Sequence, residues 1–479
     1  MMPKFVFLAT DWVLLCLLGF LVFYLWHVFR TEELRARWRF VVTNGLAVTA
    51  LVFLSTFLLV SVVDSIHYRP LVETHEDGTS VYDVKLRSLL DDLLPANSQT
   101  QEKSYSTPLA IQTFEKISRL ENNKPIRDFE PLKTAGAHLT DRADHWKDVS
   151  LRASAGGAVG LGGGVILSLL ISFLISRKNK ISWKKEVGGF FKKGERVPYE
   201  YVLLTITVLL TLAGAVAALW PYYHVFGTDQ TGNDILYQAI KSIRTAIIIG
   251  SLATLAMLPF AVLLGISAGY FKGKTDDVIQ YIYTTLSSIP SVLLIAASVL
   301  MIQVFIDTHP DLYETGMERA DVRLFILALI IGMTGWATLA RLLRAETLKI
   351  SQLDYVQAAR AFGVGHFSIM RRHIFPNVIH IVLIVVVLDF SSIVLYEAVL
   401  SYVGVGVDPT TYSFGSMINA GRLELSRTPV IWWNLAVAFV FMLTLVLSAN
   451  LFASSVRDAF DPRLALKTRK AKEDKNAAH

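Results

Sequence analysis

Cysteine is nearly absent from this chain of 479 residues, because Cys16 is the only one and it lies within an apolar run. A single cysteine excludes an intramolecular disulfide and a cysteine-based metal cluster. Charge is scarce as well: Asp, Glu, Lys and Arg make up 18% of the residues, whereas soluble domains carry about 25%. The net charge of +6 does not indicate nucleic-acid binding, because the basic residues lie in loops between apolar segments.

Long hydrophobic runs take the place of charge, and 53% of the residues are hydrophobic. A membrane-spanning helix needs about 20 apolar residues. Nine segments approach or exceed that length: 5–29, 41–63, 153–175, 201–220, 243–268, 278–303, 323–343, 378–400 and 431–455. We therefore predict an all-α polytopic membrane protein with about nine spanning helices. The first run is too long for the core of a signal peptide, so we expect it to remain as a span.

The positions of Lys and Arg predict the orientation of these spans. The loops 30–40, 176–200, 269–277 and 341–377, together with the tail 456–479, contain 27 of these residues. The short segments on the opposite side, 1–4, 221–242, 304–322 and 401–430, contain five. Because positive residues collect on the cytoplasmic side, we expect the N-terminus outside and the C-terminus inside.

Composition divides the chain into five parts. These are two N-terminal spans over 1–63, an extracytoplasmic α+β insert over 64–150, a third span with a basic cytoplasmic linker over 151–200, a core over 201–465 and a basic tail over 466–479. The linker is rich in Lys and aromatic residues, which suits contact with anionic lipid headgroups. In the third span Gly156, Gly160 and Gly164 recur at four-residue steps, which favours close helix packing in lipid.

The insert is predicted to be a small folded cap. Residues 69–84 predict a β-hairpin around Asp77-Gly78, a strong turn signal, whereas 87–94 and 108–122 predict amphipathic helices. Its histidines lack tight metal-ligand spacing, so we expect ordinary surface residues and no metal site. They are His67, His75, His138 and His145.

The most informative stretch is a polar, basic island at 354–377, between two apolar spans. Asp354, with Gln357 three residues later, predicts a helix N-cap with a capping-box partner. Gly363 is expected to break the island into two short helices, and Pro376 to mark the entry into the next span. Within the island, an apolar stripe recurs at helical spacing: Val356, Ala359, Gly363, Phe367, Met370 and Ile374. Such a hairpin either lies against headgroups or docks into a soluble partner.

The island carries a resemblance to a known family. Its A-A-x3-G-x12-P pattern, formed by Ala358, Ala359, Gly363 and Pro376, resembles the "EAA" cytoplasmic loop of ABC importer permeases. The H-x-x-P-N sequence from His373 to Asn377 is similar to the dipeptide/oligopeptide/nickel branch. The frequent Glu of "EAA" is Gln357 here, which removes a charge and keeps the size.

Three further matches occur in the family's order. FGTDQTGND (226–234) is similar to F-G-T-D-x-x-G-R-D, with Asn233 where Arg is usual. LYEAVLSYVGVGVDP (395–409) resembles L-x-E-A-x-L-S-F-L-G-L-G-x-x-P, and VRDAFDPR (456–463) resembles R-D-x-x-D-P. The resemblance thus covers about 200–465 and leaves an N-terminal extension.

The resemblance implies a type I ABC importer transmembrane domain, as a C-type subunit in a bacterial inner (plasma) membrane. The implied partners are a second homologous permease subunit, two cytoplasmic ATPase subunits that bind ATP and Mg, and an extracytoplasmic solute-binding protein. The predicted ATPase-docking residues are Tyr355, Gln357, Ala358, Ala359, Gly363, Phe367, His373 and Pro376. The predicted receptor-side loop residues are Gly227, Thr228, Asp229, Gly232 and Asp234.

Candidate pathway residues lie in two spans. Pro290 interrupts the sixth span, where a proline would kink the helix as a hinge or as a static bend. Asp389 and Glu397 are eight residues apart in the eighth span, about 80° around a helix, so they could share a broad face. Such acids line a polar pathway or form a structural pair; Arg341 or Arg344 are possible partners.

Catalysis and nucleotide binding by this chain are not expected. AGYFKGKT (268–275) satisfies a loose Walker-A pattern, but a phosphate-binding loop needs a preceding strand, and this match joins two predicted spans. No Ser-His-Asp, HExxH or paired-carboxylate spacing indicates an enzyme. We therefore expect no cofactor in this chain, and energy from separate ATPases.

The resemblance implies a permease subunit that forms half of the translocation pathway for peptides, and alternatives to this function remain open. Nickel or another small solute is carried by permeases of the same branch. A secondary transporter would need no ATPase, but neither repeat symmetry nor several intramembrane charges are evident. A membrane-anchored signalling or scaffold protein would not need six further spans with a docking hairpin.

Overall fold

A computed structural model describes residues 4–74, 80–83, 85–121, 124–179, 198–313 and 315–460. Several sequence predictions lie wholly or partly outside these residues, among them the surface position of His75 and the end of the helix predicted over 108–122. The others are the Asp77-Gly78 turn, the basic linker within 176–200, the end of the 456–463 match and the tail 466–479.

Helices dominate the described residues. In chain order they are α1 Ala9–Arg30, α2 Glu32–Val42, α3 Gly45–Asp64, α4 Leu89–Leu93, α5 His145–Asn179, α6 Tyr199–Leu219, α7 Ile235–Phe271, α8 Gly273–Ser288, α9 Ser291–Thr308, α10 Gly316–Ile350, α11 Asp354–Ala361, α12 His366–Ile369, α13 Phe375–Val403, α14 Phe414–Leu425 and α15 Trp433–Phe460. A π-helical turn, Met370–Ile374, joins α12 to α13.

Within the described ranges, nine helical segments are long and apolar enough to cross a membrane. They are Ala9–Arg30, Gly45–Asp64, Arg142–Leu174, Tyr199–Leu219, Ile235–Phe271, Ser291–Thr308, Gly316–Ile350, His366–Val403 and Trp433–Phe460. Each overlaps one of the nine segments predicted from hydropathy. The prediction of an all-α polytopic membrane protein is therefore confirmed.

The strands are short and belong to the first part of the chain. They are β1 Lys4–Val6, β2 His67–Arg69, β3 Leu71–Thr74, β4 Ser80–Tyr82, β5 Arg87–Ser88, β6 Ile117–Glu121 and β7 Lys124–Asp128. β1, β2 and β5 form an antiparallel sheet in that order, whereas β3–β4 and β6–β7 are separate hairpins. The hairpin predicted over 69–84 is therefore confirmed in its strands, and the helix predicted over 87–94 is present as α4.

The prediction of a helix over 108–122 is wrong. Residues 108–116 are irregular, and 117–121 form β6, paired with β7. Leu109 and Ile111 both pack against a buried apolar cluster that contains Trp220 and Tyr223. Contacts with distant side chains therefore outweigh the helical spacing of the apolar residues in this stretch.

The described residues form two compact units. One comprises the described residues of 1–7, 39–244 and 412–448, and the other those of 8–38, 245–411 and 449–479. The first unit extends across the compositional boundaries at 64, 151 and 201, and the predicted core over 201–465 is divided between the two units. The compositional boundaries therefore stay a prediction.

In the first unit, α5 and α6 pack at very short range along the predicted glycine stripe. A Cβ atom on Gly156 would lie 2.3 Å from the Gly214 carbonyl oxygen, and one on Gly160 would lie 2.1 Å from that of Leu210. A Cβ atom on Gly164 would lie 2.8 Å from Thr207 Cα. The stripe therefore has the packing role predicted for it, because no larger residue fits between these backbones.

In the second unit, a buried apolar cluster holds the site segments in place. It includes Met257, Tyr270, Tyr283, Trp336 and Leu343 from α7, α8 and α10. Residues of α11, the π-helical turn and α13 complete the same cluster.

The sixth span differs from its prediction, because Pro290 lies between two helices rather than inside one. α8 ends at Ser288, Ile289 is extended (φ −88°, ψ 131°) and Pro290 is the N-cap of α9. Proline disfavours the helical conformation of the residue before it, so the chain breaks at Ile289. The span is therefore Ser291–Thr308, and a kink at Pro290 is wrong.

Candidate functional site

The segment 354–377 folds as the two short helices that Gly363 was predicted to separate. α11 ends at Ala361, and Gly363 adopts φ +76°, a left-handed conformation that favours glycine. α12 then begins at His366. Pro376 lies at the second position of α13, where a helix tolerates proline.

The predicted cap of α11 is wrong by one residue. Leu353, with extended φ −70° and ψ 141°, is the N-cap, and its side chain forms no capping bond. Asp354 lies in the first helical turn, where its negative charge suits the positive end of the helix dipole. Gln357 lies at hydrogen-bond range of Gln352 rather than of Asp354, at 3.4 Å.

One face of this segment is buried inside the second unit, to which the segment belongs. Val356, Ile369 and Ile374 are fully buried in the apolar cluster, and Ala359 and Met370 pack against it. Gly363 and Phe367 were predicted in this stripe, but both are exposed. The break at Gly363 resets the helical period, so Ile369 replaces Phe367 on the inward face.

The opposite face presents aromatic side chains to the surroundings. Phe362 is 87% exposed, Phe367 68% and Tyr355 45%; we call these three residues the exposed aromatics. Exposed aromatics on a rigid backing are typical of interaction surfaces. Among the other predicted docking residues, Gln357, Ala358 and Pro376 are exposed, whereas Ala359 and His373 are half-buried.

The predicted receptor-side loop is largely covered by this chain's own insert. Gly227, Thr228, Gly232 and Asp234 are buried, and Asp229 is half-buried. The backbone N–H of Glu102 donates to the Gly232 carbonyl at 3.0 Å, and that of Thr228 to the Ser106 carbonyl at 3.2 Å. A solute receptor that approaches this loop therefore meets insert residues as well, and contact with these five residues stays a prediction.

Asp229 organises the loop from within. Its Oδ1 accepts the backbone N–H groups of Thr231 and Asn233, both at 2.9 Å. The Trp433 indole donates to the Thr228 carbonyl at 3.2 Å. The loop is thus a fixed turn, and Thr231 stays exposed at its tip.

A buried charged group lies directly behind the loop. His224 is fully buried; its Nδ1 lies 2.7 Å from Asp234 Oδ2 and its Nε2 lies 3.6 Å from Glu102 Oε1. Burial opposes ionisation of His224, but the two carboxylates outweigh it and raise its pKa to about 9. Burial likewise opposes ionisation of Glu102, but His224 and the N–H groups of Lys133 and Thr134 lower its pKa to about 2.

Two of the three residues predicted to line a pathway share one cavity. Pro290 and Asp389 line a cavity of about 490 Å³ formed by α8, α9, α10 and α13. Its lining includes Ser287, Ser288, Ser291, Thr334, Thr338, Ser392 and Tyr396. Glu397 does not line this cavity: it is 1% exposed, and its Oε1 accepts a hydrogen bond from Ser401 at 2.6 Å. The two acids therefore do not share this cavity, and their place in a pathway stays a prediction.

The arginine partners proposed for these acids are engaged elsewhere. Arg344 Nη2 donates to Asp276 Oδ2 at 2.6 Å, and Arg341 Nη2 donates to Ser287 Oγ at 3.1 Å. Both arginines therefore serve α8, because α8 and α10 pack side by side.

The Walker-like stretch has the wrong context for a phosphate-binding loop. α7 runs through Phe271 and α8 begins at Gly273, with Lys272 alone between them. A helix occupies the place of the strand that such a loop follows. In the described part of the chain, no group of three or more His, Cys, Asp or Glu side chains could hold a metal ion.

Several site residues were missed by sequence reasoning. Phe362 follows α11 directly and precedes the predicted break, which could have marked it as exposed. Ser392 and Tyr396 lie three and seven residues after Asp389, the spacing of one helix face. Nothing in the sequence could have paired Glu102 with His224, because 121 residues separate them.

Comparison with known proteins places these features in a family. The family model described as "binding-protein-dependent transport system inner membrane component" matches residues 261–466. A di/tripeptide transport system permease protein of Pseudomonas aeruginosa (strain UCBPP-PA14) is 30% identical over 240 residues, which are 50% of this chain and 72% of that protein.

Two other relatives give the same picture. A dipeptide transport system permease protein of Lactococcus lactis subsp. cremoris (strain MG1363) is 30% identical over 240 residues, or 50% of this chain and 64% of that protein. The chain therefore spans less than two thirds of the Lactococcus protein. An oligopeptide transport system permease protein of Haemophilus influenzae is 26% identical over 296 residues, or 59% of this chain and 88% of that protein.

Proposed function

The chain belongs to the family of binding-protein-dependent transport system inner membrane components, and on that basis we propose that it is the permease subunit of an ATP-driven peptide importer. It is a multi-pass inner-membrane protein. The peptide substrate is supported by the relatives, which are named as permeases for dipeptides, tripeptides and oligopeptides. Nickel or another small solute is the second candidate within the family, but no described cluster of metal ligands favours it.

In this proposal, the energy of ATP hydrolysis reaches the spanning helices of the chain through the segment 354–377. Its inward face is buried in the apolar cluster and its outward face carries the exposed aromatics. That arrangement supports the proposal more than any other observation, because a segment fixed on one side transmits a push received on the other. A separate ATPase, which binds ATP and Mg, holds this face and moves α10 and α13 when it closes.

The remaining partners follow from the same proposal. A second homologous permease subunit completes the pathway, a second ATPase serves it, and a solute-binding protein delivers the peptide at the side of the loop 226–234. The 354–377 segment faces the cytoplasm, and the C-terminus lies on the same side.

Phe367→Ala tests the coupling role. We expect it to reduce both co-purification of the ATPase subunits with the tagged chain and ATP-dependent uptake of a radiolabelled tripeptide. Phe439→Ala is the matched control, because Phe439 is similarly exposed, at 54%, on the spanning helix α15. Equal losses in the two variants, or none in Phe367→Ala, would contradict the coupling role.

A further inference from the structure

Asp389 differs from Glu397, the other acid in the predicted pathway, because it faces a cavity and its carboxylate has no described partner. It lies 14 residues from each end of α13 and therefore well inside the spanning segment His366–Val403. In the described part of the chain, no cation lies within ion-pair distance of its carboxylate. Arg341 reaches the same lining, but its guanidinium donates to Ser287 and lies over the Tyr283 ring.

An unpaired carboxylate within a membrane is costly, and such groups generally serve a pathway or a ligand. The cavity is large enough for a small ligand, at about 490 Å³. The chain break at Ile289 and Pro290 also faces it.

The polar side chains of the lining suit an ammonium ligand rather than a metal ion. Ser392 and Thr338 are exposed to the cavity, and Ser291 shares a hydrogen bond of 3.2 Å with the Tyr396 hydroxyl. One carboxylate among hydroxyl groups provides too few ligands for a metal site. It does provide a charged acceptor for an ammonium group, with neutral acceptors beside it.

We propose that Asp389 binds the α-ammonium group of a peptide during its passage through the membrane, and so favours substrates with a free N-terminus. This inference rests on the proposed function. The ammonium donates to the carboxylate, and the serine and tyrosine hydroxyls accept its remaining N–H groups. The carboxylate then has a partner only while substrate is present, which suits a transient site.

The test uses right-side-out membrane vesicles with the complete importer and ATP inside. Uptake of radiolabelled Ala-Ala-Ala is compared with that of its N-acetylated form, each at a concentration that gives equal occupancy of the solute receptor. We expect the wild type to favour the free peptide. Asp389→Asn should lower that preference about tenfold, the effect of one hydrogen bond to a charged group.

Two further variants separate charge from packing. Asp389→Glu keeps the charge and should retain the preference. Ser298→Ala should also leave the preference unchanged, because Ser298 lies on α9 outside the cavity lining and donates to the Leu294 carbonyl at 2.9 Å. Should Asp389→Asn be lost from the membrane, Asp389→Ser provides the same comparison.

Each outcome is decisive. An unchanged preference in the neutral variants, or an equal loss of both peptides, would overturn the role of Asp389 while the proposed function stands. Absence of ATP-dependent uptake of either peptide by the wild type would instead contradict the proposed function itself.

Discussion

Glu102 and Gly232 lie in backbone contact, although the sequence assigns them to different parts of the chain. The Glu102 N–H donates to the Gly232 carbonyl, and a Cβ atom on Gly232 would lie 2.0 Å from the Glu102 carbonyl oxygen. Gly232 also adopts φ +81°. Glycine is therefore required both for this left-handed conformation and for the close approach of the Glu102 backbone. The insert is therefore built onto the loop 226–234 rather than appended beside it.

We predict that this contact is pH-dependent, with His224 setting the alkaline limit. Because the pKa of His224 is raised from 6.5 to about 9, its contribution is complete below pH 6.5 and is lost as the pH rises through 9. Because the pKa of Glu102 is lowered from 4.5 to about 2, its contribution is complete above pH 4.5 and is lost as the pH falls toward 2. The contact is therefore most stable between pH 4.5 and pH 6.5, where both contributions are complete.

Hydrogen exchange at the Glu102 amide, corrected for the intrinsic effect of pH, measures this stability. Protection should fall between pH 6.5 and 9 in the wild type, and His224→Gln should remove that decline. Amides of α5 near Gly160 serve as the internal control, because no titrating histidine contacts them. A decline of the same size in His224→Gln would show that another group is responsible.

Gly363→Val should abolish peptide uptake while insertion into the membrane continues. The Cβ atom would meet open space, so the cost is strain of about 1–3 kcal/mol from a β-branched residue at φ +76°. Relief of that strain reorients α11 relative to α12. Uptake and membrane content are measured together.

Gly363→Asn is the control for this substitution, because asparagine tolerates the left-handed conformation. It should retain most of the uptake. Full activity of Gly363→Val would mean that the turn geometry is unimportant for coupling.

Gly160→Val should destabilise the contact between α5 and α6. Insertion of a larger side chain into a packed interface costs about 1–3 kcal/mol, and a Cβ atom here would meet the Leu210 backbone. Thermal unfolding in detergent measures the loss. Gly162→Val is the control on the same helix, since a Cβ atom on Gly162 has nothing within 4 Å; equal shifts in the two variants would refute the packing role.

Accessibility to a membrane-impermeant thiol reagent should establish the orientation. With Cys16→Ser as the background, Thr231→Cys should react in intact cells, whereas Phe362→Cys should react only after permeabilisation. Both positions are exposed, so burial does not limit either reaction. Labelling of Phe362→Cys in intact cells would place the coupling segment on the wrong side and contradict the proposed function.

The sequence by itself determined the spans, the break at Gly363 and the glycine stripe of α5. Each depends on neighbours in the chain: bilayer thickness sets the length of an apolar run, and glycine favours a left-handed turn wherever it stands. The sequence also carried the family resemblance, since the matching motifs are local.

Only the tertiary structure decided which faces and partners these elements have. It placed Phe367 outside and Ile369 inside, replaced the predicted helix at 108–122 with an irregular stretch followed by a strand, and separated Glu397 from the cavity of Asp389. It also joined Glu102 to His224 and Arg344 to Asp276. The physical reason is that burial and ion pairing depend on residues far apart in the chain, and local periodicity contains no information about which of them will meet.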